Sequence, residues 1–350
     1  MAVELSGATV KLDSRTGSHS QPETGQSREA PAQYNLAHEC CRRWTAERAR
    51  FALYYEDESG LTQAYSFWDI QRTANRLSNA FGALGTLRGE RIAIILPQRP
   101  ETGIAHIACY QMGAIAVPLS PQLSQADLAQ RLAGAEARIA LVDNATLPQL
   151  WALREGLPQL RHIIGVGGAL ENGVHDWDRL LEYASPRYSP LAVAAAAPAL
   201  LIHDKCTAGN PDGVLLAQNA LLDSLPGFVD DHDAFPKSGD MFWSPIAWDT
   251  SAGLFGALLP TWSLGQPILS YRGSFDPEKT CWLLARYGVR NLLLRTDMLK
   301  SMMTAVPKPK EKYGPELNLR TLVSDAEVDQ ALQYWVREEL GVSIGKARAN

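Results

Sequence analysis

The stretch from Ala199 to Gln218, ALLIHDKCTAGNPDGVLLAQ, gathers residue types that handle phosphate. An apolar run leads into a polar loop holding Thr207, Gly209 and Gly213, and VLLAQNALLDSL then follows with apolar spacing that suits a helix. Strand, glycine-bearing loop and helix would turn backbone N–H groups and a helix N-terminus toward an anion. No Gly-Lys-Ser/Thr closes the loop as it does in the common phosphate-binding pattern. Asn210-Pro211-Asp212-Gly213 also satisfies a plain type I turn, with Asn to start, Pro to preset φ and Gly to close. Spacing alone leaves cradle and turn both open.

Other chemistry-bearing groups carry less. His203-Asp204, His175-Asp176 and Asp230-Asp231-His232-Asp233 offer ligand types but no spacing that makes them converge, so no metal site is expected and the last reads as a solvated loop. Cys206 would gain thiolate character near a helix N-terminus. Asp204 and Asp212 oppose that, which makes it a bystander. Trp243, Trp248 and Trp262 suit either an apolar ligand pocket or plain core.

The elements that must position these groups follow an α/β rhythm. Leu36, Cys40 and Trp44 fall at helical spacing, and Phe51–Tyr55 with Leu61–Tyr65 reads as a hairpin. Ser66 and Asp69 form a capping box for a helix with Phe67, Ile70, Ala74, Leu77, Phe81 and Leu84 inward. Continuous apolar strands at 91–96, 115–119, 139–142 and 162–166 alternate with helices, the pattern of a parallel sheet covered on both faces. The Pro- and Ala-rich 185–198 joins this to a second unit with strands at 199–203, 241–244, 266–269, 291–294 and 319–324. Asp276-Pro277 starts one of its helices, 308–318 reads as a loop, and 325–340 reads as the last helix. The division is a disordered tail over 1–32, α/β units over 33–189 and 190–345, and a short tail over 346–350. The fold class is α/β, with two packed doubly wound subdomains.

Composition narrows the partners. The chain has 350 residues, 46% hydrophobic and 20% charged, with a net charge of −5 that gives no general attraction to nucleic acid. Five cysteines with an adjacent pair fit reduced thiols. No apolar run is long enough to span a bilayer. A soluble, cytoplasmic protein is expected.

The loop resembles the signature of the AMP-forming acyl-CoA synthetases, within the adenylate-forming superfamily, which reads YTSGTTGNPKG. Here the register is His203-Asp-Lys-Cys-Thr-Ala-Gly-Asn-Pro-Asp-Gly213, keeping Thr207, Gly209, Asn210, Pro211 and Gly213 but placing Asp212 where the family has lysine. Glu101 to Leu119 is similar to the segment ETAVAHLAxYKLGAIAVPL, and Phe242-Trp243-Ser-Pro245 with Gly253 and Leu258-Leu-Pro260 to the acyl-pocket region FWTPADWAWIGGLLDVLLP. The acetyl- to medium-chain branch matches best. The resemblance implies the two-subdomain N-terminal part of that fold and a two-step reaction. A carboxylic or fatty acid attacks magnesium-bound ATP to give acyl-AMP, and the CoA thiol then displaces AMP. It also implies that Thr207, Gly209, Gly213 and Glu327 are remnants of an ATP/AMP site, and that Trp243, Trp248 and Gly253 line the substrate pocket.

Packing segments match and nucleotide-contacting ones depart. The adenine motif SGGE reads Ser324-Asp325-Ala326-Glu327, so side chains stand where glycines would let backbone approach adenine. The motif YGxTE, with its magnesium carboxylate, is replaced by the sequence from Ser343 onward, and the ribose aspartate, hinge and C-terminal domain with its catalytic lysine have no counterpart. A charge pair near 4 Å is worth about 4 kcal/mol at an effective dielectric of 20, so Asp212 in place of lysine removes several kcal/mol of phosphate affinity. Lys205 offsets part of that. The sequence predicts a ligase scaffold that is catalytically impaired on its own. The rivals are a non-catalytic acyl-binding or partner subunit, and an active half complemented by a separate C-terminal polypeptide. Self-association through normally covered surface is also expected.

Overall fold

In the computed structural model of the chain the described residues are 31–168, 173–203 and 213–346. The hairpin expected near the start forms from β1 (Phe51–Asp57) and β2 (Thr62–Ser66). The next strands are β3 (Arg91–Ile95), β4 (Ile115–Pro118), β5 (Ile139–Asp143), β6 (His162–Val166), β7 (His175–Asp176), β8 (Pro198–Ile202) and β9 (Val214–Ala217). After them come β10 (Phe242–Trp243), β11 (Ile268–Arg272), β12 (Asn291–Leu294), β13 (Thr321–Ser324) and β14 (Ile344–Lys346).

These make two seven-stranded sheets, ordered β7-β6-β5-β3-β4-β8-β9 and β14-β13-β12-β10-β11-β1-β2. Every pairing is parallel except within the hairpins β8/β9 and β1/β2, each of which closes one end of its sheet. Each sheet is therefore five parallel strands wound the same way plus one hairpin. The hairpins interleave the sheets along the chain, since β1 pairs with β11 while β8 pairs with β4. A division at 189/190 thus does not coincide with the sheets. β1 carries buried Ala52, Leu53 and Tyr55, and Ala52 and Leu53 join the same apolar cluster as Phe67 and Trp262.

Local sequence explains the elements. The Ser66 hydroxyl accepts from the Asp69 N–H (3.2 Å) while the Asp69 carboxylate accepts from the Ser66 N–H (3.0 Å), starting the helix Phe67–Ala83. Its face of Phe67, Ile70, Ala74, Leu77 and Phe81 is wholly buried. Asp276 caps the helix Pro277–Tyr287 by accepting from the Lys279 N–H at 2.6 Å. The helix Pro100–Met112 is apolar nearly all round, as an element buried between two sheets must be, and ends on Gly113 at φ +68°. Apolar residues sort into three layers. The central one draws on both sheets through Ile92, Ile94, Leu141, Leu53, Phe242 and Ile268. One outer layer packs on the opposite face of the first sheet through Ala93, Ile95 and Val142, and the other on the second sheet through Trp243, Leu269 and Leu292.

Four expectations are corrected. Asp230-Asp231-His232-Asp233 is not a solvated loop, because Asp230 and Asp231 end the helix Ala220–Asp231 and His232 is buried with Nδ1 3.0 Å from the Thr321 hydroxyl. Val214–Ala217 is not the start of a helix but strand β9, antiparallel to β8, and the helix begins only at Ala220. A four-residue apolar run after a glycine satisfies either period, and pairing with β8 decides it. The last helix starts at Gln330 rather than Asp325, because Asp329 supplies the cap by accepting from the Leu332 N–H at 2.9 Å, and it continues as a π-turn over Val336–Leu340. The loop 308–318 contains a short helix, Pro309–Tyr313, begun by its proline.

Candidate functional site at the carboxyl edges of the sheets

Loops that leave the carboxyl ends of parallel strands converge on one rim of a sheet, where α/β folds place their ligands. Here two rims are tied together. Gln98, just past β3, donates from Nε2 to the carbonyls of Ser244 (3.0 Å) and Ile246 (2.6 Å), just past β10. Arg272 at the end of β11 lies 3.6 Å from the buried carboxylate of Asp143 at the end of β5. Beside Gln98, Arg99 forms a bidentate pair with Glu101 at 2.7 and 3.0 Å. These tying residues were not singled out in the sequence. Their signal was a polar cluster, Gln98-Arg99-Pro100-Glu101, placed at a strand's carboxyl end and a helix start.

The loop following β8 joins two antiparallel strands, so a helix N-terminus does not follow it directly. Thr207, Gly209 and Asp212 lie outside the described residues, as does Cys206. Gly213 is described at φ +77°, and a Cβ there would stand 2.8 Å from the Ile202 carbonyl oxygen and 2.9 Å from the His203 ring. Only glycine fits the foot of this hairpin.

After β13, Asp325 is exposed but tied to a helix earlier in the chain. Its Oδ1 accepts from the N–H (2.8 Å) and the hydroxyl (3.1 Å) of Thr296, the first residue of the helix Thr296–Ala305, while the Thr296 and Ser324 hydroxyls lie 2.9 Å apart. A carboxylate at a helix N-terminus meets unsatisfied N–H groups and the positive end of the dipole. Asp325 and Ala326 manage without positive φ, and Glu327 is exposed on the same segment. Asp325 and Ala326 thus place side chains where the family motif has glycines. Among the described residues, no group of three or more His, Cys, Asp or Glu is placed to hold a metal ion.

The three expected pocket residues separate. Trp243 belongs to the outer layer and lines a small recess with Pro245, Tyr271, Phe275 and Lys279, whereas Trp248 is buried in the central layer and does not line that recess. The indole N–H of each has no acceptor among the described residues. Gly253, held by the Thr250 cap (3.1 Å), is a steric necessity, because a Cβ would stand 2.0 Å from the Ala247 carbonyl oxygen. Trp262 donates to the Ala52 carbonyl at 2.9 Å and packs against Gly103, where a Cβ would come within 2.5 Å of its ring. Burial pushes the Cys281 thiol up to about 12, and the Cys40 and Cys41 thiols are also raised by burial, so these sulfurs are packing atoms.

Two doubly wound sheets joined at their carboxyl rims define an α/β architecture of the adenylate-forming kind. The AMP-binding enzyme family matches residues 41–347, and the chain belongs to that family. An acetyl-coenzyme A synthetase of Streptomyces coelicolor is 24% identical over 88% of this chain and 50% of its own length. The mitochondrial acyl-coenzyme A synthetase ACSM2 of Rattus norvegicus is 24% identical over 90% of this chain and 56% of its own. Among solved structures, a Brucella canis acyl-CoA synthetase superposes with a TM-score of 0.80 at 23% identity, covering 89% of this chain and 56% of that one. An anthranilate CoA ligase, AuaEII, in complex with anthranoyl-AMP gives 0.81 at 20% identity, covering 90% and 60%. At these identities the structures establish the fold. The chain spans about half the length of the relatives it matches.

Proposed function

We propose that this chain is an acyl-CoA-synthetase-like scaffold whose adenylating chemistry is impaired, leaving acid–thiol ligation with ATP, magnesium and CoA as the family's reaction rather than its own. The observation that carries this reading is the Asp325 carboxylate held on Thr296, in the segment where the family opens backbone to adenine. Asp212 adds charge of the wrong sign to the phosphate loop, where lysine would stabilise the negative charge that grows in adenylation. The remnant ATP/AMP site comprises Thr207, Gly209, Gly213 and Glu327, and the acyl side Trp243, Trp248 and Gly253. In this reading the recess beside Trp243 serves a carboxylic or fatty acid.

Calorimetric titration with magnesium-ATP, run beside the Asp212→Lys variant, tests this. No heat from the folded wild-type chain is the expected result, with heat regained only when Asp212→Lys is combined with Asp325→Gly. Micromolar binding by the wild type would sink the reading and favour an active half that works with a separate C-terminal polypeptide.

A further inference from the structure

At the end of the first sheet opposite its hairpin, two half-buried histidines meet. His162 opens β6, His175 opens the two-residue edge strand β7, and the parallel register pairs Ile164 with His175. His162 Nδ1 lies 3.1 Å from His175 Nε2, with the ring planes inclined at 52°. With both rings neutral, one of these nitrogens carries the N–H and the other the in-plane lone pair that accepts it.

That separation is also one a metal ion imposes. Two imidazole nitrogens each about 2.0–2.1 Å from one zinc ion stand about 2.9 Å apart at a right angle and about 3.3 Å apart at the tetrahedral angle. The observed spacing lies inside this interval, so binding requires little movement of either strand. We propose that His162 and His175 form a two-imidazole chelate for a divalent transition-metal ion, zinc in the first place, with water completing its coordination. The ligands must be neutral to offer their lone pairs to the metal. Binding moves the shared proton to a ring nitrogen facing away from the metal, so no net proton is released at neutral pH. Among the described residues no third His, Cys, Asp or Glu joins them, which makes this an exchangeable site rather than a structural one.

The chelate would fasten β7 to β6 and steady the helix Trp177–Tyr183 that follows, near whose end the carbonyls of Leu181, Glu182 and Ala184 accept from Arg76. The test uses the full chain without a polyhistidine tag. Titration with zinc chloride at pH 7.5 is expected to show one site per chain, at least tenfold weaker in His162→Gln and in His175→Gln, with His38→Gln unchanged. With Cu²⁺, electron paramagnetic resonance should show two equatorial nitrogens in the wild type and one in either variant, each checked for folding by circular dichroism. Equal zinc affinity in wild type and variants, or a copper spectrum the variants leave unaltered, would overturn the proposal.

Discussion

The central apolar layer and the rim after β13 respond to sequence change in opposite ways. In the layer, residue type is dictated by contact: Gly103 exists because Trp262 fills the space beside it, and Trp262 is anchored on Ala52. At the rim, Asp325 and Ala326 occupy glycine positions of the family pattern and the fold absorbs them, even gaining a cap on Thr296. Packing density leaves the interior no slack, whereas a solvent-facing loop has room for a side chain and a nearby helix end to receive it.

Acid should expose the layer's intolerance most strongly. His106 and His232 are buried neutral, their pKa values lowered by burial to about 3 from 6.5. Between those values the unfolded chain takes up protons the folded chain refuses, so stability is lost as pH falls through 6.5 toward 3. From pH 7 to pH 5 the two histidines together should cost about 4 kcal/mol, read as a fall in the urea midpoint, and His106→Gln should remove about half of that dependence. Next in size, Gly253→Ala forces a Cβ into the Ala247 carbonyl and should destabilise by about 3 kcal/mol in the same assay. If Gly253 served a ligand alone, that variant would melt normally and the contrast between core and rim would fail there. Smallest is Asp325→Ala, which frees the Thr296 N–H and should cost only about 1 kcal/mol by thermal melting, the size of a lost helix cap. A loss as large as that of Gly253→Ala would make the rim a packing region too.

Much of the architecture was readable from local rules. Ser66 with Asp69, Asp276 with Pro277, and the apolar runs of β3, β5 and β6 each carry their own cause within a few residues. What escaped depends on partners distant in sequence. Val214–Ala217 took its strand form from β8, and the β1–β2 hairpin joined a sheet whose other strands all lie beyond residue 240. The common winding of the two sheets is a property of strand order, which no stretch of residues displays. The tie of Asp325 to Thr296 was hidden for the same reason, since nothing near residue 325 announces a helix end at 296.

The placement of the β1–β2 hairpin also bears on how the chain comes together during synthesis. Its partner strand β11 follows about 200 residues later, and chains elongate at about 5–20 residues per second, so the hairpin waits for about 10–40 s without that strand beside it. The intervening sheet, drawn wholly from residues 91–217, needs nothing that is made later for its strand pairing and can assemble in that interval. The sheet begun first is therefore the one completed last, and its long-range closure makes it the slow step.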